Sequence, residues 1–368
     1  MNILIIDNSI AFTGAFKCAV NEADLLSEEH KFIFVISDQS KLKKTLQDKG
    51  IKVYRLPMVE IKRSVPILLL YPIMLLRNAV ALRSIVRHEK VDIVQVNDFY
   101  NMLGVMLKVM GYKGKLLTYV RFLPSVMPGI FRKIWIRYGL KYSHRMIAVS
   151  DAVLKQLPPH PKAVRVYDPV QLTETEPEKT VRDNKDISIL YLSNYIRGKG
   201  QDDALAAFIK VYATHKNITL TFMGGDMGLE KNAAYKSELE MMSARAGLTG
   251  IVKFDHFNAN VESAIKAADI VLNCSEAESF SMTCLEAAYY GTALIATKCG
   301  GPEEIINNGK TGITVPVKDV DAIAEALTQL ITNSELRSEF ATKGRAYVRE
   351  KFNTEQYRKE MRQIISNS

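Results

Sequence analysis

Short apolar runs alternate with longer amphipathic stretches along the whole chain. In the first half the runs read NILIID, KFIFVIS, IKVYRL, DIVQVN, KLLTYV, RMIAVS and AVRVYD. Runs this apolar suit strands covered on both faces, and the stretches between them suit the covering helices, so the rhythm predicts βαβ units in a parallel sheet. It stops over 168–185, a polar, acid-rich stretch with Pro169 and Pro177 and no apolar periodicity, where a domain joint is expected. It resumes with ISILYL, ITLTFM, IVKF, DIVLN, ALIA and GITV, each followed by a helical pattern such as 202–213 or 320–332. A second parallel sheet is therefore predicted. The amphipathic stretch 354–366 follows that domain with no strand left to cover, and is expected to return to the first.

The predicted class is α/β, with two doubly wound parallel-sheet domains facing a central cleft. They comprise residues 1–170, joined by a helix from 354–368, and residues 171–353. A length of 368 residues agrees, since one hydrophobic core seldom organises so much chain. The first residues enter an apolar strand without the basic region, apolar region and cleavage site of a secretory signal, so a cytoplasmic protein is expected. Cys18, Cys274, Cys284 and Cys299 lack the paired spacing of a zinc site and are read as free thiols. The longest apolar run, VPILLLYPIMLL at 65–76, is interrupted by Pro66 and Pro72 and is too short to cross a bilayer.

Charge divides the chain. Residues 1–170 hold 26 Lys and Arg against 13 Asp and Glu, a balance of +13, whereas the remainder holds 23 against 27, or −4. The basic, aromatic stretch 127–145, MPGIFRKIWIRYGLKYSHR, has helical spacing. Two readings stay open for it: a solvated basic helix face, or peripheral contact with acidic phospholipid at the inner face of a membrane, reinforced by 65–76. No nucleic-acid module surrounds it, and nucleic acid is not an expected partner.

Ligands of parallel sheets bind beyond the carboxyl ends of strands, so the loops there are searched first. After Asp7 the chain reads NSIAFTGAF, with one glycine, Gly14, which speaks against a G-x-G-x-x-G nicotinamide site. Gly198-Lys199-Gly200 lacks the Ser or Thr and the earlier glycine of a P-loop. His30, His88, His144, His160, His215 and His256 are scattered without metal-ligand spacing.

The informative segment is 269–315. A strand ends, a Ser/Glu-rich loop follows, and a helix is predicted to open near Ser281, with Glu278 at the loop end and Glu286 eight positions on. Amides at the helix start, around Met282 and Thr283, form an anion site for a diphosphate. A carboxylate such as Glu286 can accept hydrogen bonds from vicinal hydroxyls. The turn Gly300-Gly301-Pro302 offers another backbone surface to an anion or sugar. Upstream, the loop SNYIRGKG places Asn194, Arg197 and Lys199 before a helix, where the cations can balance a diphosphate or simply decorate a surface turn.

Together these residues resemble the retaining glycosyltransferases of family four, the group 1 family with the GT-B fold of two Rossmann-like domains. The signature E-x7-E is met by Glu278 and Glu286 in ESFSMTCLE, and the glycine-rich pieces by GGPEEII and Gly309-Lys310-Thr311-Gly312. The resemblance extends to IRGKG, TFMGG at 221–225, VDIVQVND at 91–98 and MIAVSDAV at 146–153, nearly the whole chain. It implies that Lys199 neutralises the donor diphosphate and that Glu286 holds the ribose. Glu278 would hold the sugar with the backbone of Ser279, Phe280 and Ser281. Gly14 and Gly224 would lie near the donor. Two departures stand out: Asn194 occupies a position where relatives often carry arginine, which leaves Arg197 or another cation as substitute. The histidine many carry after the fifth strand is missing, with Arg121 the nearest polar candidate.

The resemblance implies transfer of a sugar from a nucleotide-diphospho-sugar to an acceptor hydroxyl with retention, in cell-envelope or extracellular polysaccharide assembly. The acceptor would be a saccharide or lipid-linked. No cofactor and no metal are expected, since no Asp-x-Asp pair or ligand cluster is evident. An epimerase of the same fold and a catalytically silent sugar-binding subunit are the alternatives.

Overall fold

The computed structural model describes residues 1–58, 65–169, 186–258 and 261–366, with the side chains of 65–69 left out. Both expected parallel sheets form. The chain separates into two compact units, Met1–Asp168 with Thr354–Ser368, and Pro169–Asn353. The polar stretch in which a joint is expected lies outside the described residues from 170 to 185.

The first unit holds β1 (Asn2–Asp7), α1 (Gly14–Leu25), β2 (Lys31–Ser37), α2 (Lys43–Asp48), β3 (Lys52–Leu56), α3 (Val65–His88), β4 (Ile93–Val96), α4 (Leu103–Val109), β5 (Lys115–Val120), α5 (Gly129–Tyr142), β6 (Arg145–Ala148), α6 (Asp151–Leu154) and β7 (Ala163–Arg165). Its seven strands run parallel in the order β3-β2-β1-β4-β5-β6-β7. Ile3, Leu4, Ile5 and Ile6 are all buried, as a strand covered on both faces requires.

The second unit holds β8 (Ile187–Leu192), α7 (Gln201–Tyr212), β9 (Ile218–Met223), α8 (Glu230–Arg245), β10 (Val252–Asp255), α9 (Glu262–Ala267), β11 (Ile270–Asn273), α10 (Met282–Tyr289), β12 (Ala293–Thr297), α11 (Pro302–Ile305), β13 (Ile313–Val315), α12 (Val320–Thr332) and α13 (Ser334–Lys351). Its strands are parallel in the order β10-β9-β8-β11-β12-β13. Each sheet therefore reverses its winding once, at β1/β4 and at β8/β11, and these switch points open a crevice beyond the strand ends.

The last helix, α14 (Thr354–Ser366), packs in the first unit. Its amphipathic spacing buries Tyr357, Met361, Ile364 and Ile365. The Tyr357 and Tyr119 hydroxyls meet at 3.3 Å, Lys115 Nζ donates to the Ile365 carbonyl at 2.7 Å, and Arg362 forks onto the Glu29 carboxylate.

Two helices of the first unit differ from a simple amphipathic expectation. In α5 the core takes Trp135, Ile136, Gly139 and Leu140, which leaves Ile130 (75% exposed), Phe131, Ile134 and Tyr138 outside beside the cations. The run at 65–76 becomes the start of α3, continuous through Pro72, and exposes Leu70, Ile73, Leu76 and Val80 along one helical row. Among the described residues no helix is long and apolar enough to cross a membrane.

Candidate functional site

The switch point of the second sheet brings together the loops after β8 and β11. Buried Tyr191 ties them: its hydroxyl donates to the Lys199 carbonyl and accepts from the Cys274 amide at 2.9 Å. Gly200 has φ 76° and its absent side chain would sit 1.9 Å from the Cys274 carbonyl oxygen, so only glycine permits this approach. Buried Gln201 closes the loop by donating to the Asn194 carbonyl at 3.0 Å. Lys199 is thus held rigidly by its backbone, with its half-buried side chain free to reach across.

It reaches Glu278. Lys199 Nζ donates to Glu278 Oε1 at 2.7 Å, and Ser275 Oγ donates to the same oxygen at 2.9 Å. Burial disfavours the Lys199 ammonium, but the facing carboxylate outweighs it and raises its pKa above the ordinary lysine value, so the side chain is cationic at neutral pH. Glu278 is positioned by its own backbone, which accepts from Gly301 at 2.8 Å and donates to Cys299 at 3.2 Å.

The start of α10 is fastened beside this pair. Ser281 adopts φ 83°, a left-handed conformation rare for a side-chain-bearing residue. It is held there because its hydroxyl accepts from the Cys284 amide at 3.4 Å as helix cap and from Asn273 Nδ2 at 2.9 Å. Thr283 Oγ1 donates to the Leu192 carbonyl at 3.3 Å, which fixes the helix start over the end of β8. Met282 and Glu286 are half-buried on α10, with Leu285 and Ala287 buried on either side of Glu286.

The other candidates of this unit lie around the pair. Phe280 is buried edge-on to Phe352, so its side chain is core and only its backbone borders the loop, with Ser279. The Gly300-Gly301 turn is no open backbone surface: the Gly300 amide donates to the Glu303 carboxylate at 2.6 Å and the Gly301 amide to Glu278. A side chain at Gly301 would collide with the Phe280 backbone at 2.2 Å, which is why glycine stands there. Asn194 Oδ1 accepts from the Gly225 amide at 3.1 Å, and Gly224 packs on the Ser193 carbonyl, so both join the β8 and β9 loops. Arg197, the candidate to stand in for the arginine that relatives carry at the Asn194 position, pairs here with Glu238 on α8 and lies over the Tyr235 ring.

Arg121 is the polar candidate that follows β5. It is buried in the first unit, where Nη1 pairs with Asp168, Nε donates to Asn97 Oδ1 at 2.7 Å and the guanidinium lies over Tyr119. Asn97 in turn donates to Asp7, so the charges at the β1/β4 switch point form one internal network. Gly14 opens α1 nearby, exposed, behind the capping hydroxyl of Thr13. Burial pushes the Cys18, Cys274 and Cys284 thiols well up and that of Cys299 to about 12, so none is a nucleophile at neutral pH. Ser275 and Asn273 are the site residues that sequence reasoning missed, although LNCSEAE shows one polar residue at the end of a strand and the other two positions on.

Residues 173–347 match the family model of the glycosyl transferases group 1. The chain carries a group 1 glycosyltransferase domain. The matched span takes in nearly all of the second unit, with Lys199, Glu278 and Glu286 inside the glycosyltransferase domain. The chain is 26% identical to an N-acetyl-alpha-D-glucosaminyl L-malate synthase of Bacillus anthracis, over 60% of this chain and 58% of that protein. It is 22% identical to an uncharacterized glycosyltransferase of Methanocaldococcus jannaschii over 87% and 85%. The chain spans about half the length, or less, of the first curated relatives it matches. The crystal structure of HepE from Anabaena, in complex with UDP and glucose, superposes with a TM-score of 0.83 over 100% of this chain and 99% of that one, at 18% identity. Both units thus share the GT-B fold.

Proposed function

We propose that the chain transfers a glycosyl group from a nucleotide-diphospho-sugar to an acceptor hydroxyl with retention at the anomeric carbon. The observation that carries this is the Lys199–Glu278 pair, braced by Ser275 beside the start of α10. It puts a cation, a carboxylate and a helix N-terminus at one switch point of a glycosyltransferase domain. HepE, solved with UDP-glucose on the same fold, supports a nucleotide-sugar as donor.

In the reaction the bond from the anomeric carbon to the diphosphate oxygen breaks and its electron pair leaves with the diphosphate. The acceptor oxygen forms the new bond and passes its proton to the departing diphosphate. Lys199 meets the charge that grows on the leaving phosphate, a fixed electrostatic role strengthened by partial burial. Glu278, already a double acceptor, takes the sugar hydroxyls, and Glu286 takes the ribose. We assign the leaving-group charge to Lys199 without a metal. The acceptor is a saccharide or lipid-linked sugar in polysaccharide assembly, met in the cytoplasm at the inner face of the membrane.

Incubation with radiolabelled UDP-sugars tests the reading. Label moving to an added acceptor, or slow hydrolysis without one, supports it. Interconversion of two nucleotide-sugars, or binding without turnover, overturns it.

A further inference from the structure

The segment 101–150 carries nine Lys and Arg and no Asp or Glu. Within it, α5 presents two exposed rows side by side. Lys133, Arg137 and Lys141 repeat every four residues, and Ile130, Ile134 and Tyr138 repeat at the same spacing, three positions earlier. Residues four apart lie on one helix face, so the rows run parallel along the surface. The cationic row and Arg132 line a groove of about 820 Å³, closed on its far side by the loop bearing Gln156 and His160. No carboxylate lines it, and Arg132, Lys133 and Arg137 form no ion pair among the described residues.

We infer that this groove seats the phosphate headgroup of an acidic phospholipid while the Ile130, Ile134 and Tyr138 row enters the headgroup–acyl boundary. The occupant follows from the pairing of features. An anion of any kind suits four cations, but a row of uncovered apolar side chains alongside them suits a bilayer surface and not a nucleic-acid backbone. The second exposed row, Leu70, Ile73, Leu76 and Val80, lies in the same unit on α3, which packs on α4, itself packed on α5. The inference rests on the membrane-side acceptor in the function proposed above, and supplies the surface that holds the enzyme there.

Co-sedimentation of the full chain with vesicles tests it. We expect binding to phosphatidylglycerol/phosphatidylcholine vesicles, fading as salt rises, and little to pure phosphatidylcholine. One cation near an acidic surface is worth about fivefold in partitioning, so the triple variant Lys133→Gln, Arg137→Gln, Lys141→Gln should lose roughly 100-fold. Ile130→Ser with Ile134→Ser should also weaken binding, whereas Lys41→Gln, Lys43→Gln, Lys44→Gln, which removes the same charge elsewhere in the unit, should not. Circular dichroism checks that each variant folds. Equal losses from both charge triples would reduce the effect to net charge and overturn the inference. So would equal binding to neutral vesicles, or retention of an RNA oligonucleotide where acidic vesicles are not bound. Vesicle-free hydrolysis of UDP-sugars keeps the two proposals apart: absent turnover with intact, groove-dependent vesicle binding counts against the transferase alone.

Discussion

In the second unit the charges at the switch point, Lys199 and Glu278, are partly exposed and held by neighbours. At the corresponding point of the first unit Asp7, Asn97, Arg121 and Asp168 are buried and bonded to one another. The strand order on either side is the same. Topology therefore supplies two loops and a crevice, and the partnering of side chains leaves one crevice with part-exposed charges, the site proposed above, and the other with a buried brace. The outer surfaces differ as well. Among the described residues the exposed large hydrophobics, Met1 apart, gather on α3, α4, α5 and the turn before α5, while the second unit shows only Met241 and Phe257.

The sharpest way to break this contrast is to treat the two cations alike. Arg121→Ala leaves Asp168 buried without its charge partner and should destabilise the protein by about 3–5 kcal/mol, read by denaturant unfolding. A neutral result would show that Arg121 is not a brace. Lys199→Ala should leave the midpoint nearly unchanged but lower kcat by about 10²–10³, with a smaller rise in donor KM. An unchanged kcat would remove it from the leaving group.

A third comparison uses pH. Glu22, buried in α1 and accepting from Gln95 at 2.7 Å, is pushed by burial up to about 7. Its carboxyl binds its proton more tightly when folded, so the associated stability is full below the ordinary value near 4.5, is lost as pH rises to about 7, and is flat above. The loss is on the order of 3 kcal/mol, and Asp98, likewise raised to about 7, adds to it. Unfolding at pH 5 and pH 8 should show a slope that Glu22→Gln reduces. An unaltered slope would assign the pH dependence elsewhere.

Within the second unit the two glutamates should part company by smaller factors, about 10–100-fold. Glu286→Gln, acting on the ribose, should raise KM and weaken nucleoside diphosphate binding. Glu278→Gln, acting where positive charge develops on the sugar, should lower kcat and spare diphosphate affinity. Calorimetric titration showing the reverse would exchange the roles. The smallest expected effect is none: EDTA should leave turnover unchanged, and loss restored by manganese would contradict a leaving group served by Lys199 alone.

The strands were legible because each is a contiguous apolar run, and α10 because its capping Ser281 stands beside a periodic apolar stretch. The candidate pair Lys199 and Glu278 was legible as two loop residues, but their contact was not, since 79 positions separate them. The partners of two other cations are hidden for the same cause. Arg121 and Arg197 find partners 47 and 41 residues away, and nothing local announces Asp168 or Glu238. Ser281's left-handed backbone leaves no mark either, because a serine stands where the strain would favour glycine. On α5 the sequence shows more apolar residues than one face needs, and only packing decides which remain outside.

The path of α14 bears on how the protein is made. A ribosome that has just added residue 353 has already joined every described strand of both sheets, yet Tyr119 and Lys115 still lack Tyr357 and Ile365. The unit synthesised first is thus the one completed last, and until α14 emerges its surface beside β5 is open to whatever else is at hand, a chaperone or another nascent chain.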